Sequence, residues 1–501
     1  MPNLFDTLSA RFPADHARPF AWLEDGTCVT YGDMVAGSAR YAVALDACGV
    51  RPGDRVMVQT PKSIEMLMLY LASLRAGAVF VPLNTAYTAG ELGYFIEDAE
   101  PALFVSDPAR RDAVAALAAG LKVETLGEGG EGSLPALAAR MTGAWTTAPR
   151  EDDDLAAILY TSGTTGRSKG AMLSHGNLAS NALALHDHWR FTGEDVLLHA
   201  LPIFHTHGLF VATNVTLAAG AAMLFQAKFD ADAVMAALPR ATVMMGVPTF
   251  YIRLLAEPGF DRALAGPLRL FISGSAPLSA EIHREFEART GHAILERYGM
   301  TETNMNTSNP YEGDRIAGTV GQPLPGVDIR IADPETGAPL PQGEVGVIQI
   351  AGPNVFRGYW RKPEKTAEEF RNGYFISGDL GFIDGRGYVS IVGRAKDLII
   401  AGGYNIYPAE VEAALDELPQ LRESAVVGVP HPDLGEGVVA AVVPRDAGFA
   451  DEGAILDALA DRLARFKQPR RIMFMAQLPK NAMGKVQKTV LRETFADTFS
   501  R

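Results

Sequence analysis

A chain of 501 residues is too long for one core and is expected to divide into two or more domains. An apolar share of 48% with 21% charged residues is that of an ordinary soluble globular protein. The formal net charge of −14 argues against nucleic acid and against stable association with an anionic membrane, since both demand clustered cations. A locally positive pocket for a small anion remains compatible with it.

From the N-terminus, "MPNLFDTLSARFPADHARPF" carries Asp6, Asp15 and internal prolines and reads as neither a secretory signal nor a transit peptide. The two cysteines, Cys28 and Cys48, form no CxxC pair and suit a reducing compartment, so a cytoplasmic location is expected. "RVMVQTP" predicts a strand, "KSIEMLMLYLASLRAG" a helix ended by glycine, and "AVFVPLN" a strand. Thr88 and Glu91 form a capping box for the helix "AGELGYFIEDAE", and "ALFVSD" follows as a strand. That alternation predicts an α/β domain with a mostly parallel sheet. It resumes in "ATVMMGV", "LRLFISG" and "HAILERYG". The apolar stretch Leu209 to Phe225 is shorter than the ~20 residues of a membrane span and reads as buried core. Beyond about residue 320, "GVDIRIADPETGAPLPQGEVGVIQIAG" alternates around Gly and Pro turns, which predicts antiparallel strands. From "GRAKDL" onward, the helices "PAEVEAALDEL" and "EGAILDALADRLARF" flank the strands "ESAVVGVP" and "VVAAVVP". This is a small α+β unit of roughly a hundred residues. The boundary is expected at Arg394 to Asp397, giving domains 1–395 and 396–501.

Several stretches carry chemistry. "GEGGEG" (127–132) fits G-x-G-x-x-G, but Glu128 and Glu131 would repel a pyrophosphate, so a solvent loop is expected. His186 and His188, at i, i+2 on a helix, point to different faces and make no metal pair. "YTSGTTGRSKGAM" (160–172) leaves the end of the buried strand "LAAILY" and enters the strand "AMLSH". Its glycines let backbone N–H groups converge on an anion, its hydroxyls add donors, and Lys169 adds a point charge. It is not the Walker pattern, because Gly170 follows the lysine. Alone, it is divided evenly between a phosphate loop and a linker. Glu302 in "RYGMTET" could hold Mg²⁺ or serve as an acid at a helix N-terminus. Asp379 in "ISGDLG", read as a tight turn, could accept ribose hydroxyls or merely form the turn. Lys485 in the loop "PKNAMGKVQK" reads, by itself, as a solvated lysine.

In this order and spacing, "YTSGTTGRSKG", "GSAP", "ERYGMTE", "SGD", "GRAKDLIIAGGYNIYPAEVE" and "PKNAMGK" resemble the adenylate-forming superfamily of acyl-CoA synthetases, adenylation domains and luciferases. The resemblance spans essentially the whole chain. One departure is Ser168, where many members have proline. The resemblance implies that a carboxylate attacks the α-phosphorus of ATP to give an acyl adenylate, and that the thiol of CoA then displaces AMP. Because that attack joins two anions, the site must neutralise charge. By the match, Thr161, Ser162, Gly163, Thr164, Thr165, Gly166 and Lys169 hold the phosphates. Thr301 contacts them, and Glu302 holds Mg²⁺. Gly274, Ser275, Ala276, Arg297 and Tyr298 line the adenine, and Asp379 and Arg394 hold the ribose. Lys485 enters the site for adenylation. Lys396 is the hinge of a C-terminal swing that brings Gly402, Gly403 and Tyr404 to the CoA channel, and His205 gates that channel.

The stretches "ALPIFHTHGLFVATNVTL", "GVPTFYIRLL", "FISGSAPL" and "ERYGMTETNMNTSNPY" resemble the malonyl-CoA synthetase branch. This implies that Arg253 binds the distal carboxylate of malonate, with His207 and Ser273 nearby. Without the resemblance, Arg253 reads equally as a helix-surface arginine that snorkels outward. A bidentate guanidinium would reject monocarboxylates but discriminate a methyl branch weakly, so methylmalonate is an expected secondary substrate. Two other readings stay open at this point: a CoA ligase for another short acid, and an inactive nucleotide-binding regulator. No carrier-protein domain is recognisable after Lys485.

Overall fold

The computed structural model describes residues 3–117, 119–142, 144–161, 168–402, 404–446, 448–460, 462–481 and 484–500. Helix α1 (Leu4–Ser9) opens the chain. Strands 55–59, 79–82, 103–106 and 123–125 then run parallel with helices between them, as the alternating pattern predicts. The helix Ile64–Ala76 stops at Gly77, which takes φ 68°, a left-handed turn that favours glycine. The Thr88–Glu91 capping box closes in both directions. Strand β1 (Leu155–Thr161) joins this sheet in parallel and turns back into the antiparallel edge strand β2 (Lys169–Ser174). Helix α2 (His175–His188) leaves it under a second capping box, Ser174 with Asn177.

A second sheet carries β3 (Val196–His199) and β4 (Val243–Gly246). Helix α3 (Pro248–Ala256) follows, then β5 (Leu270–Ser273), helix α4 (Ala280–Thr290) and β6 (Leu295–Met300). These strands are parallel. β3, β4 and β5 are short and almost wholly apolar, as a sheet covered on both sides requires; β6 carries Glu296 and Arg297. At one edge, β7 (Asn304–Ser308) returns antiparallel to β6. The stretch Leu209 to Phe225 is buried almost throughout, as expected, and ends in a strand of this sheet, Ala222–Phe225. It begins within a π-helix, His207–Thr213.

A third sheet is antiparallel. It contains β8 (Tyr374–Ile383) and β9 (Val389–Arg394) besides strands 328–332 and 346–351. A fourth is built from residues after 398: strands 399–401, 404–406, 421–431 and 435–444 pair antiparallel, and 471–474 adds in parallel. Helix α5 (Pro408–Asp416) packs on it through Val411 and Leu415. The helix expected over 452–466 ends, among the described residues, at Ala460. Among the described residues no helix is long and apolar enough to cross a membrane.

Candidate active site

Thr161 and Lys169 face each other across the β1–β2 hairpin. The expected phosphate loop therefore connects the two strands of an edge hairpin. Ser162, Gly163, Thr164, Thr165 and Gly166 lie outside the described residues. At its exit, Lys169 Nζ donates to Glu369 Oε1 at 2.8 Å and sits 4.0 Å over the ring of Tyr359. A bridge between Ala171 and Tyr359 fixes that ring beside the hairpin. The Tyr359 hydroxyl lies 3.0 Å from Glu302 Oε1 and 3.2 Å from Glu369 Oε2. Glu302 is buried in the turn between β6 and β7, next to Thr301. That turn joins two strands rather than opening a helix, so the carboxylate is not a helix-capping acid. Burial raises its pKa, and Glu369 adds to the rise against the hydrogen bond from Tyr359.

The register places Gly246 beside Ser273 and Ser273 beside Glu296, so β4 and β5 end together against β6, which runs on to Met300. In an open parallel sheet the carboxyl ends of the strands are where ligands bind. Gly274, Ser275 and Ala276 leave β5 there, and Arg297 and Tyr298 lie towards the end of β6. Arg297 is 2% exposed, yet its Nε and Nη2 have no partner among the described residues. It packs so closely on Gly274 that a Cβ at that position would lie 2.5 Å from its Cζ; residue 274 must be glycine for this close approach. Burial draws the guanidinium down to about 9, with Tyr251 and Glu296 opposing, so it stays protonated at pH 7. Glu296 does not neutralise it, because successive strand residues point to opposite faces. Burial also pushes Glu296 up to about 8, which leaves it largely protonated. Inside the protein this is a cation awaiting an anion.

The surrounding groups are equally unfilled. His207 Nε2, Ser273 Oγ and Thr206 Oγ1 are buried without partners among the described residues. His207 Nδ1 lies 3.2 Å from Ser275 Oγ, and Ser275 is held at φ 73°, a conformation uncommon for a residue with a side chain. Burial, then Arg297 and Lys485, lower His205 to about 4, so it is neutral. Burial and Arg297 push His207 well down.

Arg253 lies elsewhere. It is exposed on α3, its Cζ 6.0 Å from the Phe229 ring centroid. It stands one turn beyond Thr249, and residues four apart share a helix face. The Lys485 loop packs on Thr249: a Cβ on Gly484 would lie 2.8 Å from Thr249 Oγ1. Arg253 therefore marks the outer lip of the same face.

Lys485 is anchored by its backbone N–H, which donates to Asn481 Oδ1 at 3.0 Å. The side chain is open to water through the cleft, while protein atoms crowd its amine. Burial lowers its pKa and Arg394 lowers it further, against Asp379, Asp397 and Glu302. The loop lysine thus feels both ends of the site. Asp379 departs from expectation: it sits inside β8, not in a turn, as the cross-strand partner of Arg394. Its carboxylate is 2.6 Å from Arg394 Nε and 2.5 Å from the Tyr298 hydroxyl. Lys396 is exposed in the short turn Ala395–Asp397. Gly402 (φ 58°) donates its N–H to Leu434 O at 2.9 Å. Tyr404 is exposed and stacks on Phe466. Gly402 and Tyr404 stand outside the cluster, and Gly403 is outside the described residues.

Residues 5–360 match the AMP-binding enzyme family, and residues 410–485 match the AMP-binding enzyme C-terminal domain. The chain belongs to the AMP-binding enzymes. Among solved structures, ATP-bound MatB from Rhodopseudomonas palustris is 58% identical, covers 99% of both chains and superposes with a TM-score of 0.98. The apo form of that protein, at the same identity and coverage, superposes with 0.87. Among curated relatives, a feruloyl-CoA synthase of an Amycolatopsis species is 39% identical over 94% of both chains. The malonate–CoA ligase of Arabidopsis thaliana is 33% identical over 94% of this chain and 85% of its own. Membership in this family leaves the assignment of each side chain to the geometry. Tyr359 and Glu369 are members of the cluster that sequence reasoning did not find. They lie in "RGYWRKPEKTAEEF", where no periodicity or motif distinguishes them, and only the fold brings them to Lys169.

Proposed function

We propose that the protein is an ATP-dependent malonate–CoA ligase, joining malonate to CoA through a malonyl-adenylate and releasing AMP and diphosphate. The observation that carries the choice of acid is the buried guanidinium of Arg297, which has no counter-ion among the described residues, with His207 Nε2 and Ser273 Oγ also buried and unpartnered among them. An acid with a second carboxylate satisfies it. A monocarboxylate leaves it bare, which a buried polar site rejects by orders of magnitude. Arg297 thus takes the role that resemblance gives Arg253, while Arg253 at the lip attracts the dianion. A methyl branch changes binding by only ~1–3 kcal/mol, so methylmalonate is a second substrate. Similarity to MatB and to the malonate–CoA ligase supports this reading.

ATP lies with its diphosphate end at the Thr161–Lys169 turn and Thr301, its adenine along Gly274–Ala276 and Tyr298, and its ribose on Asp379 and Arg394. The donors near the phosphates are carboxylate oxygens, which suit Mg²⁺. Glu302 would hold that ion, which supplies charge neutralisation on the phosphates when bound. Lys485 steadies the charge that builds as the malonate oxygen approaches the α-phosphorus. Residues 1–395 and 396–501 act as two domains hinged at Lys396. After adenylation the second rotates, withdrawing Lys485 and bringing Gly402 to Tyr404 to a CoA channel gated by His205. The closer match to ATP-bound than to apo MatB supports an architecture with more than one arrangement. We place the enzyme in the cytoplasm.

The test is thioester formation with malonate, methylmalonate and acetate. The wild type should use malonate best, methylmalonate next and acetate poorly. Arg297→Lys should lose malonate use by at least tenfold, and Arg253→Ala by less. Undiminished malonate use in both variants would discard the carboxylate clamp.

A further inference from the structure

Glu369 and Glu302 share one hydroxyl. The Tyr359 O–H has a single proton and two carboxylate acceptors, at 3.0 and 3.2 Å, so it can satisfy only one of them at a time. Inside the cleft Lys169 meets the charge of Glu369: its ammonium donates to that carboxylate at 2.8 Å while its other face lies on the Tyr359 ring. The other cation at Glu369, Lys365, stands 3.5 Å away on the rim and is 44% exposed. Lys169 and Glu369 are both about one-fifth exposed and come from segments 200 positions apart. A lysine at the mouth of an anion loop is therefore already carrying an anion, supplied by the protein.

We propose that Glu369 is a built-in stand-in for the terminal phosphates of ATP. It occupies Lys169 when the site is empty, yields it when a phosphate oxygen arrives, and recaptures it as diphosphate leaves. The exchange trades one ion pair for another and makes or breaks no covalent bond. It weakens nucleotide binding by the strength of the pair displaced, and for the same reason it speeds release of diphosphate. Tyr359 makes the exchange possible: its ring keeps Lys169 in place while the ammonium changes partner, and its hydroxyl can turn to the carboxylate left behind. This inference rests on the reading of the β1–β2 turn as the phosphate loop.

Calorimetric titration of the whole protein with ATP and with inorganic diphosphate, with and without Mg²⁺ and without acid substrate, tests it. A pair this exposed is worth up to ~1 kcal/mol. Glu369→Gln, which keeps the shape and removes the charge, should therefore tighten both ligands by about two- to fivefold. The gain should vanish in the Lys169→Ala background. A residue with a merely structural role would loosen binding when replaced, not tighten it. Unchanged affinity in Glu369→Gln overturns the proposal. So does weaker binding confined to the Mg²⁺ arm, since the carboxylate would then be serving the cation. If Lys169→Ala itself leaves ATP and diphosphate binding intact, the phosphate-loop reading falls instead.

Discussion

An amine crowded by protein atoms, and then by the charge of Arg394, loses its proton more readily than a free lysine, and Lys485 is in that position. Its pKa lies below the usual 10.5, so the charged form, which the proposed adenylation step uses, disappears at a lower pH. Adenylation, followed as diphosphate release, should therefore fall on the alkaline side earlier than ordinary lysine titration predicts. Lys485→Arg should move that limb out of the measured range at a reduced maximum. Lys485→Ala should abolish diphosphate release yet spare thioester formation from supplied malonyl-AMP; loss of both half-reactions together would refute this division. Lys485 and Glu302 were legible because their neighbours form specific motifs. Asp379 was legible in identity but not in setting, because a Gly-Asp pair reads as a turn while the ladder to Arg394 holds it in a strand. The depth of Arg297 was not legible at all. Burial depends on what packs across β6, and only the close approach to Gly274 reveals it.

At the scale of elements, alternation and caps gave reliable boundaries, since capping boxes act within four residues. The π-helix over His207–Thr213 was hidden. The Gly208 carbonyl accepts from the Thr213 hydroxyl at 2.9 Å, and His199 Nε2 lies 2.9 Å from it. A carbonyl can only accept, so Nε2 carries the proton given to Gly208, which leaves His199 Nδ1 to accept from Lys62 Nζ at 3.0 Å. No local pattern in the sequence announces that chain of partners. A similar long-range tie joins α1 to α2: the Leu4 N–H donates to His175 Nδ1 at 3.0 Å, with the imidazole fully buried. Burial, then Arg150, lower His175 from 6.5 to about 4. Above pH 6.5 the ring is neutral in both folded and unfolded chains and contributes nothing to pH dependence. Between 6.5 and 4 the unfolded chain takes a proton that the native one refuses, so stability falls by about 3 kcal/mol. Urea midpoints measured across that range should decline in the wild type and flatten in His175→Asn. Equal slopes would show that other groups dominate the acid limb.

For the molecule as a whole, the question is what holds the C-terminal unit in the arrangement where Lys485 reaches the site. Among the described residues, two ion pairs span from α4 to it: Arg445 Nη2 to Glu281 Oε1 at 3.2 Å, and Arg284 Nη2 to Glu417 Oε1 at 3.9 Å. All four side chains are between 30% and 59% exposed, so each pair is worth ~0–1 kcal/mol. That is too little to lock a domain and enough to bias it. A strong apolar interface would have to be broken in every cycle of the proposed swing, whereas weak charged contacts separate at small cost. Because like charges also gather there, with Asp416 pushed up to about 7 by burial and by neighbouring carboxylates, the two arginines offset a repulsion as well as form pairs. Arg445→Glu should accordingly slow adenylation by no more than about fivefold, and high salt should reproduce part of the loss in the wild type. Thioester formation from supplied malonyl-AMP should be unchanged or faster, because that step follows release of the contact. Stopped-flow measurement of both half-reactions separates the outcomes: an equal loss in both would mean that Arg445 supports the fold rather than the arrangement.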